Sequence, residues 1–357
     1  MNPIFWQDKS VLITGHTGFK GAWLSLWLQT VGARVTGYSL PPATTPNLFE
    51  LASVGSGMQS VTGDIRDFEN LKQTIERCKP EIVFHMAAQS LVRRGYQYPI
   101  ETFDVNVLGT ACLLEAIRGR EGVRAVVVVT SDKCYQNVEN GVGYSEVDIL
   151  GGSDPYSCSK ACAELVTAAY RSSYFADSKQ TTLASVRAGN VIGGGDWAED
   201  RLLPDIMRAF VEGKPVAIRN PRAIRPWQHV LEPLRGYMLL AERLYRDGAE
   251  FGGAWNFGPV EEDAKTVESV LDRVVELWGD GACWVPDSVQ HPSESKILKL
   301  NCSKAQQRLG WRPYWGLDQA LEATVSWYKA HLRGQNLRDI TLGQLESFQG
   351  VTMGAAS

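Results

Sequence analysis

No apolar run in this 357-residue chain approaches the length needed to cross a bilayer, so membrane insertion is not indicated. The stretch MNPIFWQDKS lacks a basic segment followed by an apolar one, and the sequence therefore predicts no signal peptide. CxxC spacing is missing as well. The seven cysteines, at 78, 112, 134, 158, 162, 283 and 302, are scattered and odd in number, which suits reduced thiols in a cytoplasm. Cys158 and Cys162 lie one helical turn apart, but no second His or Cys pair completes a metal site, so no metal is expected. A basic excess is lacking too: a net charge of −4 argues against nucleic acid or an anionic membrane surface as main partner. There is no internal repeat and no low-complexity linker. What remains is the composition of a soluble globular protein, long enough for one large domain or two lobes in close contact.

The first half alternates strand and helix patterns. SVLITG (10–15), ARVTGYSL (33–40), EIVFHMAA (81–88), VRAVVVVTS (123–131) and TTLASVRAG (181–189) are apolar runs without strict alternation, as expected of parallel strands covered on both faces. Helical patterns near 19–31, 67–78, 99–119 and 155–175 separate them. This order predicts an α/β fold, a Rossmann-like doubly wound parallel sheet over residues 1–189. Beyond about residue 190 the texture becomes glycine-rich, with helices near 203–212, 230–246 and 265–278 and only short strand signals. A smaller mixed C-terminal lobe over 190–335, with segments that return to the first domain, is expected to bind substrate. A helix and loose tail should occupy 336–357.

After the first strand comes GHTGFKG, with Gly15, Gly18 and Gly21 spaced GxxGxxG. Glycines let the backbone turn sharply and approach a pyrophosphate, while the following helix presents its amides. An acid closing the second strand would grip a ribose 2′-hydroxyl, and none is present in VTGYSL. A 2′-phosphate would need cations there, yet no Lys or Arg lies between Arg34 and Arg66. NAD is favoured over NADP, with Lys20 in the turn as the one residue that points the other way. Asp64, in GDIRD, is placed either to accept from the adenine amino group or to cap a helix. MAAQ (86–89) ends a strand with small residues against which a ribose could pack.

DPYSCSK puts Tyr156 and Lys160 four residues apart at the start of a helix, on one face. A cation beside a phenol lowers its pKa from about 10 toward neutrality, which would make Tyr156 a base for a sugar hydroxyl. The valine strand ends in Ser131-Asp132-Lys133, a hydroxyl, an acid and an amine together. Residues 201–225 hold six cations, Arg201, Arg208, Lys214, Arg219, Arg222 and Arg225, against two acids, Asp205 and Glu212, an excess that suits a diphosphate. For Arg208, Lys214 and Arg222 a solvated basic face serves equally well.

GHTGFKG, MAAQ, YxxxK and RAGNVIGGGDW together resemble the extended short-chain dehydrogenase/reductase superfamily. TSDKCY, IRPWQHVLEP and WNFGP narrow the resemblance to its NAD-dependent nucleotide-sugar 4,6-dehydratases, nearly end to end. The resemblance implies CDP-glucose as substrate and cofactor contacts from Gly15, Thr17, Gly18, Phe19, Lys20 and Gly21, from Asp64 and Ile65, from Ala87, Ala88, Gln89 and Asn106, and from Tyr156 and Lys160. It implies catalytic roles for Ser131, Asp132, Lys133, Tyr156 and Lys160, and substrate contacts from Asn190, Arg201, Arg219, Arg225, Asn256 and His291. A 4-epimerase needs only the hydroxyl, tyrosine and lysine. A dehydratase must also expel water, and by position Asp132 is the implied acid and Lys133 the implied base, where relatives carry an Asp-Glu pair. The chain departs from the family at Ser90, where proline is usual, at Asn140 and Val142, and at Ser293, Lys296 and Ile297. A homodimer through the helices near 99–119 and 155–175, possible pairing into tetramers, a cytoplasmic location and a supply of deoxysugar for O-antigen lipopolysaccharide are further implications. The alternatives are a nucleotide-sugar 4-epimerase, a dehydratase for another nucleotide sugar, and a catalytically silent dinucleotide sensor, which should have lost Tyr156 or Lys160.

Overall fold

The computed structural model describes residues 2–139, 141–176, 181–279, 281–287 and 297–354. Seven strands form the central sheet: β1 (Ser10–Thr14), β2 (Arg34–Ser39), β3 (Gln59–Thr62), β4 (Ile82–His85), β5 (Ala125–Val129), β6 (Thr182–Arg187) and β7 (Gly253–Asn256). Every neighbouring pair is parallel, in the order 3-2-1-4-5-6-7. The chain reverses its winding between β1 and β4, and in such sheets ligands bind at that crevice. Five strands lie inside the expected runs. β3 and β7 were not expected, for a physical reason: β3 is a polar, largely exposed edge strand, and β7 is four residues long and begins with glycine.

The valines of β5 explain its continuous run. Val126 and Val128 enter one core with Leu12 and Leu113, while Ala125 and Val127 enter the opposite core with Val11 and Ile13. Successive side chains point to opposite faces, and both faces are dry. The helices include α1 (Phe19–Thr30), α2 (Phe68–Cys78), α3 (Val92–Gln97), α4 (Gly109–Ile117), α5 (Pro155–Tyr174), α6 (Leu202–Val211), α7 (Leu231–Asp247), α8 (Val267–Trp278), α9 (Leu317–Leu332) and α10 (Leu337–Gly354), of which α1, α2, α4, α5 and α7 cover the sheet. The expected helix near 99–119 runs from Pro99 to Ile117 and includes a π-helical segment at Asp104–Leu108.

Beyond residue 190 the short strands pair among themselves: Val191–Ile192 with Gln228–His229, Ile224–Pro226 with Ala264–Thr266, and Val216–Ile218 with Trp284–Pro286. The last helix is docked through Phe348, whose ring lies 5.7 Å from Trp27 and 5.2 Å from Trp315. Its apolar face meets α1 across the chain, which a loose tail would not do.

One ion pair fixes α5 to the sheet. Glu164 of α5 meets Arg187 of β6 at 2.8 Å, and both side chains are 3 % exposed. Glu164 also accepts from Ser185 at 2.7 Å and from Thr130, and Arg187 donates to Tyr135 at 2.7 Å. Removing one partner of a buried pair strands the other charge. Glu164→Ala is therefore expected to lower the unfolding free energy by about 3–5 kcal/mol in chemical denaturation; a loss below about 1 kcal/mol, the size of an exposed pair, would contradict this.

Candidate active site

A cleft of about 1640 Å³ opens along the carboxyl ends of the strands and runs into the C-terminal lobe. That exceeds the usual volume for one small ligand, roughly 300–1,000 Å³, and leaves room for two. At its cofactor end, Gly15 follows β1 with φ +79°, and a Cβ on Gly21 would lie 2.1 Å from the Gly15 oxygen. The turn closes only with glycine at both points. Gly18 is exposed and opens the first turn of α1, so the helix amides face the cleft. Thr17 donates to the Leu40 oxygen at 2.9 Å and pairs with Ser39 at 2.8 Å, which anchors the end of β2 beside the turn. Lys20 does not turn toward β2. It enters the reaction end of the cleft, 3.5 Å from the Tyr237 hydroxyl, and burial pushes it down to about 8. The end of β2 is thus left without that cation, which fits NAD.

Asp64 lines the cleft, while Asp67 is the residue that caps α2. The Arg66 guanidinium holds the Asp64 carboxyl below the usual carboxylate range through contacts of 2.9 and 2.6 Å. Ile65, Ala87 and Ala88 also line the cleft, but Gln89 and Asn106 stand behind its wall. Asn106 accepts from the Gln89 amide N–H at 2.9 Å and donates to the Gln89 carbonyl at 2.9 Å, so the two brace the 86–91 loop.

A buried relay supports the same loop. Thr14 accepts from the amides of Met86 and Ala87 and donates to His85 Nδ1 at 2.7 Å. Thr110 gives its own proton to the Asn106 carbonyl, so it accepts from His85 Nε2 at 3.1 Å. Burial, aided by Lys160, pushes His85 down to about 3, and the neutral ring completes the chain.

Ser131, Asp132, Lys133, Tyr156 and Lys160 all line the reaction end. β5 stops at Val129 because Ser131 starts a tight turn: its hydroxyl accepts the Lys133 amide at 3.2 Å and donates to Asp132 Oδ1 at 3.0 Å. Asp132 is 1 % exposed, and its Oδ2 has no hydrogen-bond partner. Gly189, after β6, packs against that oxygen; a Cβ there would lie 1.7 Å from it. Lys133 is half-buried on the cleft wall.

Tyr156 and Lys160 sit in the first two turns of α5, which starts at an Asp154 cap and Pro155. The expected depression of the phenol is not what the protein alone provides. Burial pushes Tyr156 up to about 12 and the charge of Asp132 adds to the rise, while Ser131 and the charge of Arg201 pull it down. Lys160 is itself pushed down to about 8 by burial and directs its amine to the Val129 carbonyl at 3.4 Å.

At the far end Asn190, Arg201, Arg219 and Arg225 line the cleft. Arg201 donates to Asp196 at 2.9 Å and to Ser90 at 2.8 Å, joining the two lobes. Asp200 is 3.0 Å from Arg93 and 3.9 Å from Arg219, a second tie across the same gap. Asn256 is not in the cleft. Fully buried, it is saturated by Tyr135, Tyr144 and Asn301, with contacts of 2.7, 2.8 and 3.1 Å. His291, Ser293, Lys296 and Asn140 lie outside the described residues. Lys214 and Arg222 are exposed, whereas Arg208 is half-buried and holds the Trp197 carbonyl at 2.9 Å. Ser90, Arg93, Asp196, Asp200 and Gly189 went unassigned in the sequence. Gly189 and Asp196 both stood in the quoted RAGNVIGGGDW motif, where neither was given a role.

The GDP-mannose 4,6-dehydratase family model matches residues 12–324. The CDP-glucose 4,6-dehydratase of Salmonella typhimurium is 55 % identical over 98 % of this chain and 98 % of its own length. Among solved structures, an epimerase from Methanothermobacter thermautotrophicus superposes with a TM-score of 0.82 at 24 % identity, covering 94 % of this chain and 96 % of that one. A dTDP-glucose 4,6-dehydratase from Bacillus anthracis, solved in complex with NAD, does so with 0.75 at 22 %, covering 92 % and 99 %.

Gly189→Ala forces the Asp132 carboxyl from its position. Displacement of a reacting group by about 1 Å costs about a hundredfold in rate. The variant should lose about a hundredfold in kcat while keeping its NAD affinity, measured by calorimetric titration and steady-state rates; unchanged kcat would show that the carboxyl position does not matter.

Proposed function

The chain belongs to the GDP-mannose 4,6-dehydratase family of the extended short-chain dehydrogenase/reductase superfamily, and from that premise we propose that it converts CDP-glucose to CDP-4-dehydro-6-deoxyglucose and water. The single observation that carries the reading is the Ser131-Asp132-Lys133 trio at the tip of β5, with the Asp132 carboxyl held in the cleft beside Tyr156. An epimerase has no use for the acid or the amine.

NAD, when bound, would supply a hydride acceptor for carbon 4 and a hydride donor for carbon 6. The glycine turn and the amide end of α1 would hold its pyrophosphate, Asp64 its adenine side, and Tyr156 and Lys160 its nicotinamide ribose. Tyr156 takes the proton of the carbon 4 hydroxyl, and Lys160 steadies the phenolate. The ketone at carbon 4 makes the carbon 5 proton acidic. Lys133 removes that proton while Asp132 protonates the departing carbon 6 hydroxyl, and Lys133 later returns its proton to carbon 5. Arg201, Arg219 and Arg225, with Asn190, bind the diphosphate and sugar in the lobe over 190–335.

The choice of cytosine rests on the Salmonella relative named for CDP-glucose. Exposed apolar side chains on the 99–117 helices and α5, Ile100, Leu108, Leu165 and Tyr174, support a homodimer through that face. Scattered unpaired thiols support a cytoplasmic site; among the described residues no helix is long and apolar enough to cross a membrane. The product, an activated deoxysugar, suits supply to O-antigen.

Incubation with NAD and CDP-glucose is expected to give the 4-keto-6-deoxy product by NMR, with UDP-, dTDP- and GDP-sugars turned over far more slowly. A carbon 4 epimer as product would contradict the reading. In deuterated water Lys133→Ala should lower carbon 5 exchange by about 10²–10⁴-fold, the range of general base catalysis, while reduced cofactor still forms. Exchange at the native rate would remove Lys133 from the base role.

A further inference from the structure

The arginines assigned to the substrate, Arg201, Arg219 and Arg225, all stand in the lobe over 190–335. Another arginine lines the same cleft from the opposite wall. Arg93 belongs to α3, just after MAAQ (86–89), on the NAD-binding side. Its Nη1 reaches across the gap to Asp200 Oδ1 at 3.0 Å. That same oxygen lies 3.9 Å from Arg219 Nη1. One carboxylate oxygen thus sits between guanidinium groups from the two sides of the cleft.

We propose, resting on the nucleotide-sugar reading above, that Arg93 is a further substrate contact that grips the diphosphate together with Arg219, and that Asp200 holds the place of a phosphate until substrate enters. A carboxylate offers a guanidinium what a phosphate offers, anionic oxygens that fit the planar N–H fork. Because both arginines approach one oxygen, a single phosphate group set there touches both. The contact to Arg219 is longer than a hydrogen bond, so Asp200 does not fill the fork of that arginine. A diphosphate carries charge on both phosphates, whereas Asp200 brings a single one, and the larger charge wins the two cations.

Asp200 is also able to yield its place. It lies in the turn before α6, with φ +59°, a left-handed backbone that aspartate adopts more readily than most residues. Its side chain is 36 % exposed and that of Arg93 34 %. Ion pairs open to water at that level hold structure only weakly. The carboxylate turns out to solvent as the diphosphate comes in, and Arg93 then closes on the substrate from the NAD-binding side. Arg93 and Asp200 therefore act in opposite senses on affinity, one as ligand and the other as competitor.

Calorimetric titration of the NAD-loaded protein with CDP tests this. Arg93→Gln should weaken CDP binding by about tenfold to a hundredfold, the loss of a hydrogen bond to a charged group. Asp200→Asn should tighten it by about two- to fivefold, the size of an exposed ion pair removed. In the Asp200→Asn protein, Arg93→Gln should still cost about tenfold, because its partner there is the diphosphate. Weaker binding in both single variants would overturn the proposal, since the pair would then be only a strut across the cleft. Binding left unchanged by Arg93→Gln, or an equal loss of NAD affinity in that variant, would overturn it too. Wild type that binds CDP yet makes no 4-keto-6-deoxy sugar contradicts the dehydratase reading alone. Wild type that binds none of CDP, UDP, dTDP and GDP removes both.

Discussion

A carboxyl group at 1 % exposure must be given a defined neighbour for each oxygen, and at Asp132 that requirement organises the reaction end of the cleft. One oxygen takes the Ser131 hydroxyl at 3.0 Å; the other has no donor and rests against Gly189. Ser131 stands two residues past β5 and Gly189 two past β6, so the carboxyl is held just beyond the tips of two adjacent parallel strands. Those strands are fixed from below by the Glu164–Arg187 pair, which ties α5 to β6 and so sets where Tyr156 and Lys160 stand. The sheet register, the helix position and the acid are one mechanical unit.

The second lobe shares an apolar core with this unit and is also tied to it by polar contacts across the cleft. Arg201 reaches from the start of α6 to Ser90 on the NAD-binding side, and Arg93 reaches the opposite way to Asp200. Asp196, which orients Arg201, is in turn held by the Tyr328 hydroxyl of α9, with Trp197 packed edge-on to the same ring. The C-terminal helices therefore hold Arg201 through one loop. Ser90, a departure from the family pattern, has a direct role here as the acceptor for that arginine.

Much of the fold was legible because both faces of the sheet are buried. Unbroken runs such as VVVV have no other stable placement in a chain this long, and the glycine turn marked where the first strand meets its helix. The polar edge strand Gln59–Thr62 and the strand Gly253–Asn256 escaped because neither carries an apolar run. At the site, residues named for their chemistry, Ser131, Asp132, Tyr156, Lys160, Arg201, meet in one cleft. Residues named from motif position alone fared less evenly: Asn256, Gln89 and Asn106 are braces whose polar groups are taken up by the protein. The phenol was misjudged in its electrostatics, since burial outweighs the nearby cation. Gly189 stood in a quoted motif without a role, because its importance is a distance to another strand.

The central claim is that electrons leave the sugar at carbon 4 and re-enter at carbon 6, with water lost between. Turnover of CDP-glucose carrying deuterium on carbon 4, in ordinary water and followed by NMR, reads this directly. Deuterium at carbon 6 of a 4-keto product is the expected result; deuterium still on carbon 4, in a sugar of inverted configuration, would contradict it.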